Sequence, residues 1–239
     1  MNEYNMDKFR ADCLRLNINL SEEQTAKFQQ YYEILIQWNA FMNLTAITEY
    51  GDVLKKHFLD SLSLVKAADL EKEIRILDIG TGAGFPGIPL KIAFPHLKIV
   101  LLDSLGKRVK FLNHVIEELN LEQINAVHGR AEDFARDIQY RESFDYVVSR
   151  AVANLSSLSE YCIPYVKTGG YFVSYKSGNV DNELEKSLHA IRVLGGTVED
   201  IVRFTLADTE ERTFVCIKKI SKTDKKYPRK AGTPSRDPL

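Results

Sequence analysis

Apolar residues recur at one spacing before residue 74 of this chain and at another after it. In the first stretch the spacing is helical. Ser21-Glu22-Glu23-Gln24 forms a capping box, and Phe28, Tyr31, Tyr32, Leu35 and Ile36 then fall on one face, which predicts an amphipathic helix to about residue 40. A weaker helix is expected over 6–16, and another over 52–68, where Leu54, Phe58, Leu62 and Val65 share a face. From residue 74 short apolar runs alternate with helical patterns. Strands are expected at about 74–79, 98–103, 124–128, 144–149 and 170–176, with helices at about 85–94, 107–119, 131–137, 155–166 and 181–194. The alternation then stops. Two β-rich runs, 197–206 and 213–220, flank Ala-Asp-Thr-Glu-Glu-Arg and predict an antiparallel hairpin.

Alternating strands and helices specify an α/β fold with a mostly parallel sheet covered on both faces. The chain therefore divides into an N-terminal helical extension over 1–73 packed on the sheet, an α/β domain over 74–220 and a Pro/Lys-rich tail over 221–239, expected to be flexible. No internal repeat is present. The 239 residues, 44% of them apolar, suffice for one large core. No run approaches a membrane span and the first ten residues lack the apolar core of a signal peptide, so a soluble cytoplasmic protein is expected. Cys13, Cys162 and Cys216 lie far apart and read as buried small apolar groups. No metal site is expected, because the five histidines have no ligand spacing.

A net charge of −1 conceals an uneven distribution. Residues 218–239 hold eight Lys or Arg against two Asp, a net of +6, and the other 217 residues carry 24 basic and 31 acidic groups. A basic tail on an acidic body suits either a nucleic-acid contact or plain solvation.

The densest chemistry lies at 74–87, where an apolar strand ends in Asp78 and breaks into Gly80, Gly82, Gly84 and Gly87, with Pro86 at the start of the next helix. Such a loop brings backbone N–H groups and a helix N-terminus close to a small polar ligand. Gly82-Ala83-Gly84-Phe85-Pro86-Gly87 fits the dinucleotide pattern G-x-G-x-x-G, and the missing Gly-Lys-Ser/Thr rules out a P-loop. Two features favour S-adenosylmethionine over nicotinamide. Asp78 stands where an acidic group meets an ammonium and would repel a pyrophosphate. The closing hairpin is usual in methyltransferase folds. Asp103, at the end of the second strand, suits ribose hydroxyls of either cofactor or a helix cap.

Further candidates follow the third, fourth and fifth strands, on the edge where this architecture places ligands. Backbone amides near Ala131 and Glu132 suit an adenine edge, with a solvated helix residue as the plain alternative for Glu132. Arg150, directly after an apolar strand, suits a site carboxylate such as Asp78, or a nucleotide. Lys176 ends the fifth strand. His57 reads first as helix packing and second as a site contact, and Trp38, Tyr31 and Tyr32 read as core before they read as a base-stacking surface.

Residues 77–90 (Leu-Asp-Ile-Gly-Thr-Gly-Ala-Gly-Phe-Pro-Gly-Ile-Pro-Leu), 101–112 (Leu-Leu-Asp-Ser-Leu-Gly-Lys-Arg-Val-Lys-Phe-Leu), 130–133 (Arg-Ala-Glu-Asp) and 149–153 (Ser-Arg-Ala-Val-Ala) together resemble the small-subunit ribosomal RNA guanine-N7 methyltransferase family, also called the glucose-inhibited division protein B family. Trp38-Asn39, Asn43-Leu44-Thr45 and His57-Phe58-Leu59-Asp60-Ser61 resemble its helical part, so the likeness reaches to about residue 220. It implies a Rossmann-like methyltransferase fold, S-adenosyl-L-methionine as donor with S-adenosyl-L-homocysteine as product, and a guanine N7 of small-subunit (16S) ribosomal RNA or of the ribosomal subunit as acceptor. It also implies cofactor contacts at Gly80, Phe85, Ala131, Glu132 and Arg150, beside Asp78, Gly82 and Asp103 read from the loop itself. Arg150 and Lys176 are expected to position the substrate, and Lys176-Ser177-Gly178 departs from the Lys-Gly pairing of some relatives. The protein is expected to act as a monomer. The competing readings are a methyltransferase for another RNA or a small molecule, a nicotinamide oxidoreductase, and a non-catalytic RNA-binding or assembly protein.

Overall fold

The computed structural model describes residues 4–150 and 153–239, so Ala151 and Val152 of the 149–153 motif lie outside the described residues. Helix α1 (Met6–Arg15) precedes α2 (Glu22–Met42), where the predicted capping box forms reciprocally between Ser21 and Gln24 and Asn43 ends the helix in the left-handed region at φ 50°. The segment expected as one helix over 52–68 is composite. It runs as α3 (Tyr50–Val53), a π turn (Leu54–Leu59), α4 (Asp60–Leu62) and a 3₁₀ turn (Ser63–Lys66).

The sheet and its covering helices then alternate as β1 (Arg75–Ile79), α5 (Gly87–Ala93), β2 (Lys98–Asp103), α6 (Gly106–Glu118), β3 (Ile124–His128), α7 (Ala131–Phe134), β4 (Phe144–Ser149), α8 (Leu155–Cys162), β5 (Val166–Ser177) and α9 (Asp181–Val193). Strands β6 (Gly196–Leu206) and β7 (Glu210–Lys219) form the predicted hairpin, and α10 (Thr233–Arg236) lies in the tail. The order across the sheet is β3-β2-β1-β4-β5-β7-β6, parallel from β3 to β5 and antiparallel through the hairpin. The order reverses between β1 and β4. At that switch point the loops after the strand ends diverge and leave a crevice.

The helical extension packs chiefly against the helices of one face. Gln24 donates to the carbonyls of Ile92 and Ala93 at the end of α5, and the buried Tyr31 hydroxyl donates to the Ala83 carbonyl in the glycine loop. Phe9, Phe28, Tyr31, Phe58 and Phe85 join one continuous core with Ile76, Ile88 and Leu101 of the sheet layer. Trp38 packs on Phe111 and His114, so it belongs to the core side of the two expected readings.

The tail, expected to be flexible, makes contacts with the α/β domain. Arg229 pairs with Glu160, whose side chain is 1% exposed, and Arg141 donates to the carbonyls of Thr223 and Tyr227. Lys219 is wholly buried, where it donates to Thr223 Oγ1 and the Ile163 carbonyl. The basic residues at 219 and 229 are thus consumed as internal ties, and Lys222, Lys225, Lys226 and Lys230 stay exposed. All three cysteines are buried and free. No helix among the described residues is long and apolar enough to cross a membrane.

Candidate active site

The glycine loop is held from below by two carboxylates. Asp78, fully buried on β1, accepts on Oδ2 from Thr81 Oγ1 at 2.7 Å and from the Gly87 amide at 2.9 Å. Its Oδ1 is buried without a partner, and desolvation raises its pKa to about 7. Asp103 accepts from the Gly82 amide at 3.0 Å, the Leu105 amide at 2.9 Å and Arg108. Its carboxylate therefore fastens the loop after β1 to the loop after β2; it does not cap α6, whose N-cap is Leu105 without a side-chain cap bond. Gly82 sits at φ 62°, and a Cβ on Gly87 would come within 2.2 Å of Leu101, so each of these positions requires glycine for a local reason.

Above this frame lies a cavity of about 320 Å³ lined by Ile79, Gly80, Ala131, Glu132, Ser149 and Ala153 among others. Of the expected cofactor contacts, Gly80, Ala131 and Glu132 border it. Asp78, Gly82, Phe85 and Asp103 do not line it and reach it through the loop they shape. Glu132 departs from its plain reading: it is 6% exposed, and its Oε1 accepts from the Gly232 amide of the tail at 2.8 Å.

A second, larger cavity of about 650 Å³ opens beside the first, lined by Lys56, His57, Asp60, Arg150, Tyr175, Lys176 and Arg212 among others. Ala153 borders both cavities. Arg150 stands in the second, and its partner is not Asp78. Its guanidinium donates to Asp60 Oδ2 at 2.9 Å, to His57 Nδ1 at 3.1 Å and to the Lys56 carbonyl at 3.1 Å. Asp60 Oδ1 accepts from Arg212 Nε at 2.6 Å, so one buried carboxylate joins two arginines. Lys176 donates to Glu183 at 2.7 Å and to the Ala153 carbonyl at 3.1 Å. One of its bonds thus holds the wall common to the two cavities.

His57 is a neutral brace. Burial and the neighbouring Arg150 charge lower its pKa to about 3. Nδ1 accepts from Arg150, so Nε2 carries the hydrogen and donates to Thr45 Oγ1 at 2.9 Å. The ring stacks on Phe85 with centroids 4.5 Å apart, and the Arg150 guanidinium lies 5.0 Å from the Phe85 centroid. Phe85 is 5% exposed, which makes it the contact through which the glycine loop sets the second cavity.

Asp60 and Arg212 were missed as site residues in the sequence. Their only local signal is the His57-Phe58-Leu59-Asp60-Ser61 string, because Arg212 reads as part of a hairpin turn. Among the described residues no group of three or more His, Cys, Asp or Glu side chains is placed to hold a metal.

The family model described as rRNA small subunit methyltransferase G matches residues 24–214. A protein named Ribosomal RNA small subunit methyltransferase G from Lachnoclostridium phytofermentans is 57% identical over 94% of this chain and 93% of its own length. One of the same name from Staphylococcus carnosus is 51% identical over 93% of this chain and 94% of its own. Among solved structures, M. jannaschii TYW2 in complex with AdoMet is 13% identical, with a TM-score of 0.51 over 62% of this chain and 70% of that one. The M. jannaschii fibrillarin pre-rRNA processing protein is 15% identical, with a TM-score of 0.50 over 64% of this chain and 70% of that one. Those two similarities are of fold and establish the Rossmann-like architecture. The match of the family model, together with identity above one half over nearly the full length, means that this chain belongs to the rRNA small subunit methyltransferase G family.

Proposed function

We propose that this chain methylates N7 of a guanine in small-subunit ribosomal RNA, with S-adenosylmethionine in the first cavity and the guanine in the second. The observation that carries this reading is the pair of cavities meeting at Ala153 on the carboxyl edge of the sheet. Family membership supports the ribosomal RNA acceptor and, with it, a cytoplasmic place of work. One chain carries both cavities, which supports a monomer as the working unit.

The first cavity fits the donor in size and chemistry. Its volume of about 320 Å³ lies within the range of small-molecule sites. The unpartnered Asp78 Oδ1 gives the loop spare capacity for a cation. Gly80, Ala131 and Glu132 would border the cofactor directly, while Asp78, Gly82, Phe85 and Asp103 would fix the loop around it. When bound, S-adenosylmethionine supplies an electrophilic methyl group on a positively charged sulfur.

Guanine N7 bears an in-plane lone pair and no proton, so the reaction requires no general base. The second cavity agrees with this. His57 has both nitrogens engaged and stays neutral, Asp60 is held by two arginines, and Glu183 is held by Lys176. What the site offers is cationic donors on rigid mounts: Arg150, Arg212 and Lys176 suit guanine O6 or flanking phosphates. Catalysis is then positioning of N7 against the donor across the Ala153 wall. The test is transfer of labelled methyl from S-adenosylmethionine to unmodified small-subunit RNA or subunits, followed by mapping of N7-methylguanine. Transfer to small molecules in preference to RNA, or cofactor binding without any transfer, would favour the competing readings.

A further inference from the structure

The tail does more than pack. Gly232 and Ser235 line the first cavity, facing residues 129–132 after β3 and Leu158 and Tyr161 of α8. The segment is tied on both sides of that cavity. Toward α7, the Gly232 amide donates to Glu132 and Arg136 donates to the Pro228 carbonyl at 2.9 Å. Toward α8, Arg229 meets the buried Glu160 through its backbone amide at 2.6 Å and its guanidinium at 2.7 Å, and Ser157 Oγ donates to the Pro234 carbonyl at 2.6 Å. Gly232 adopts φ 81° with open space about its Cβ position, so the residue turns the chain and delivers its amide to Glu132 without filling the cavity.

These ties have an energetic consequence. Glu160 is wholly buried on the helix that carries Tyr161, and among the described residues Arg229 is the cation within ion-pair distance of it. A buried carboxylate left without its cation is strongly unfavourable. These ties hold residues 232–235 against the cavity, so that they bound it on one side beside residues 129–132.

We infer that residues 229–235 are part of the cofactor-binding site, with Ser235 and the Gly232 backbone forming one wall against the adenosine half of the cofactor and Arg229 positioning that wall through Glu160. This rests on the reading of the first cavity as the S-adenosylmethionine site. Glu132 accordingly acts on the cofactor side as the latch for this wall, since its Oε1 is already bonded to Gly232.

The experiment is calorimetric titration of S-adenosylhomocysteine into the full chain and into two variants, with a thermal melt of each. Ser235 is exposed at the cavity, and its Oγ donates to the Gly232 carbonyl at 3.2 Å, so Ser235→Trp is expected to weaken binding at least tenfold with little change in the melting temperature. Arg229→Ala is expected to weaken binding at least tenfold and to speed tryptic cleavage at Lys230, which bound S-adenosylhomocysteine slows in the unaltered protein. If Arg229→Ala fails to fold, Ser235→Trp decides alone. Binding by folded Ser235→Trp equal to that of the unaltered protein would overturn the tail wall and leave the cofactor reading standing. Absence of binding by the unaltered protein would overturn both, and is recognised by that control.

Discussion

Asp78 has one oxygen bonded twice and one bonded to nothing, and this asymmetry makes its charge depend on what arrives. Its folded pKa of about 7 lies above the ordinary 3.8, so the free protein holds a proton that the unfolded chain releases between those values. Stability attributable to Asp78 is accordingly present at low pH and lost as pH rises through about 7. The ammonium group of a bound S-adenosylhomocysteine would favour the ionised form, so its affinity should rise as pH approaches about 7, by at most tenfold per pH unit, and level off above it. Calorimetry across pH 5–8 checks this, and Asp78→Asn should flatten the profile and weaken binding. Asp60 stands between two cations, Arg150 and Arg212. Asp60→Ala would leave Arg150 and Arg212 without their shared carboxylate and should destabilise the fold by about 3–5 kcal/mol in urea denaturation. The milder Asp60→Asn should lose methyl transfer and keep S-adenosylhomocysteine binding. At this scale the sequence reveals what is local. Asp78 and Gly80 are legible because strand, loop and ligand face lie within a few residues. Arg150 is legible as a site residue, but its partners are not, since Asp60 lies 90 residues from Arg150 and 152 residues from Arg212.

Among the elements, the helical extension shows where periodicity ends and tertiary bonding takes over. The 52–68 face was readable, yet its regular helix gives way to a π turn and a 3₁₀ turn. Carbonyls there have side-chain partners: from outside the segment Arg150 takes that of Lys56 and the Tyr175 hydroxyl that of Ser61, and from within it Ser61 Oγ takes that of His57. π turns are frequent at functional sites, and here His57 within the turn and Asp60 directly after it meet one arginine. The strands were predicted more closely, because alternating apolar runs bounded by glycine or charge leave little freedom of assignment. β5 still starts at Val166, earlier than its apolar run, since it pairs with Phe144 there. The capping box at the start of α2 is a purely local device and its effect should be local. Ser21→Ala is expected to cost about 1 kcal/mol, measured as a lower urea midpoint at unchanged slope, with cofactor binding intact.

For the whole molecule, the sequence indicated the charge asymmetry but not which charges are free. Arg229 and Lys219 serve the interior, and Lys222, Lys225, Lys226 and Lys230 are exposed. If these four meet RNA phosphates, replacing all of them with alanine should weaken RNA binding and reduce the slope of log affinity against log salt by about 0.7–0.9 for each phosphate no longer neutralised. Filter binding at several salt concentrations measures this, and an unchanged slope would return the tail to solvation alone. The wall at Ala153 bears on the order and stereochemistry of turnover. Among the described residues lining the second cavity there is no cysteine, His57 has no free nitrogen, and Asp60 and Glu183 are paired, which favours direct transfer over a methyl-carrying side chain. Both substrates must then be present together. Initial-velocity plots should intersect rather than run parallel, and a chiral methyl group should emerge with its configuration inverted once.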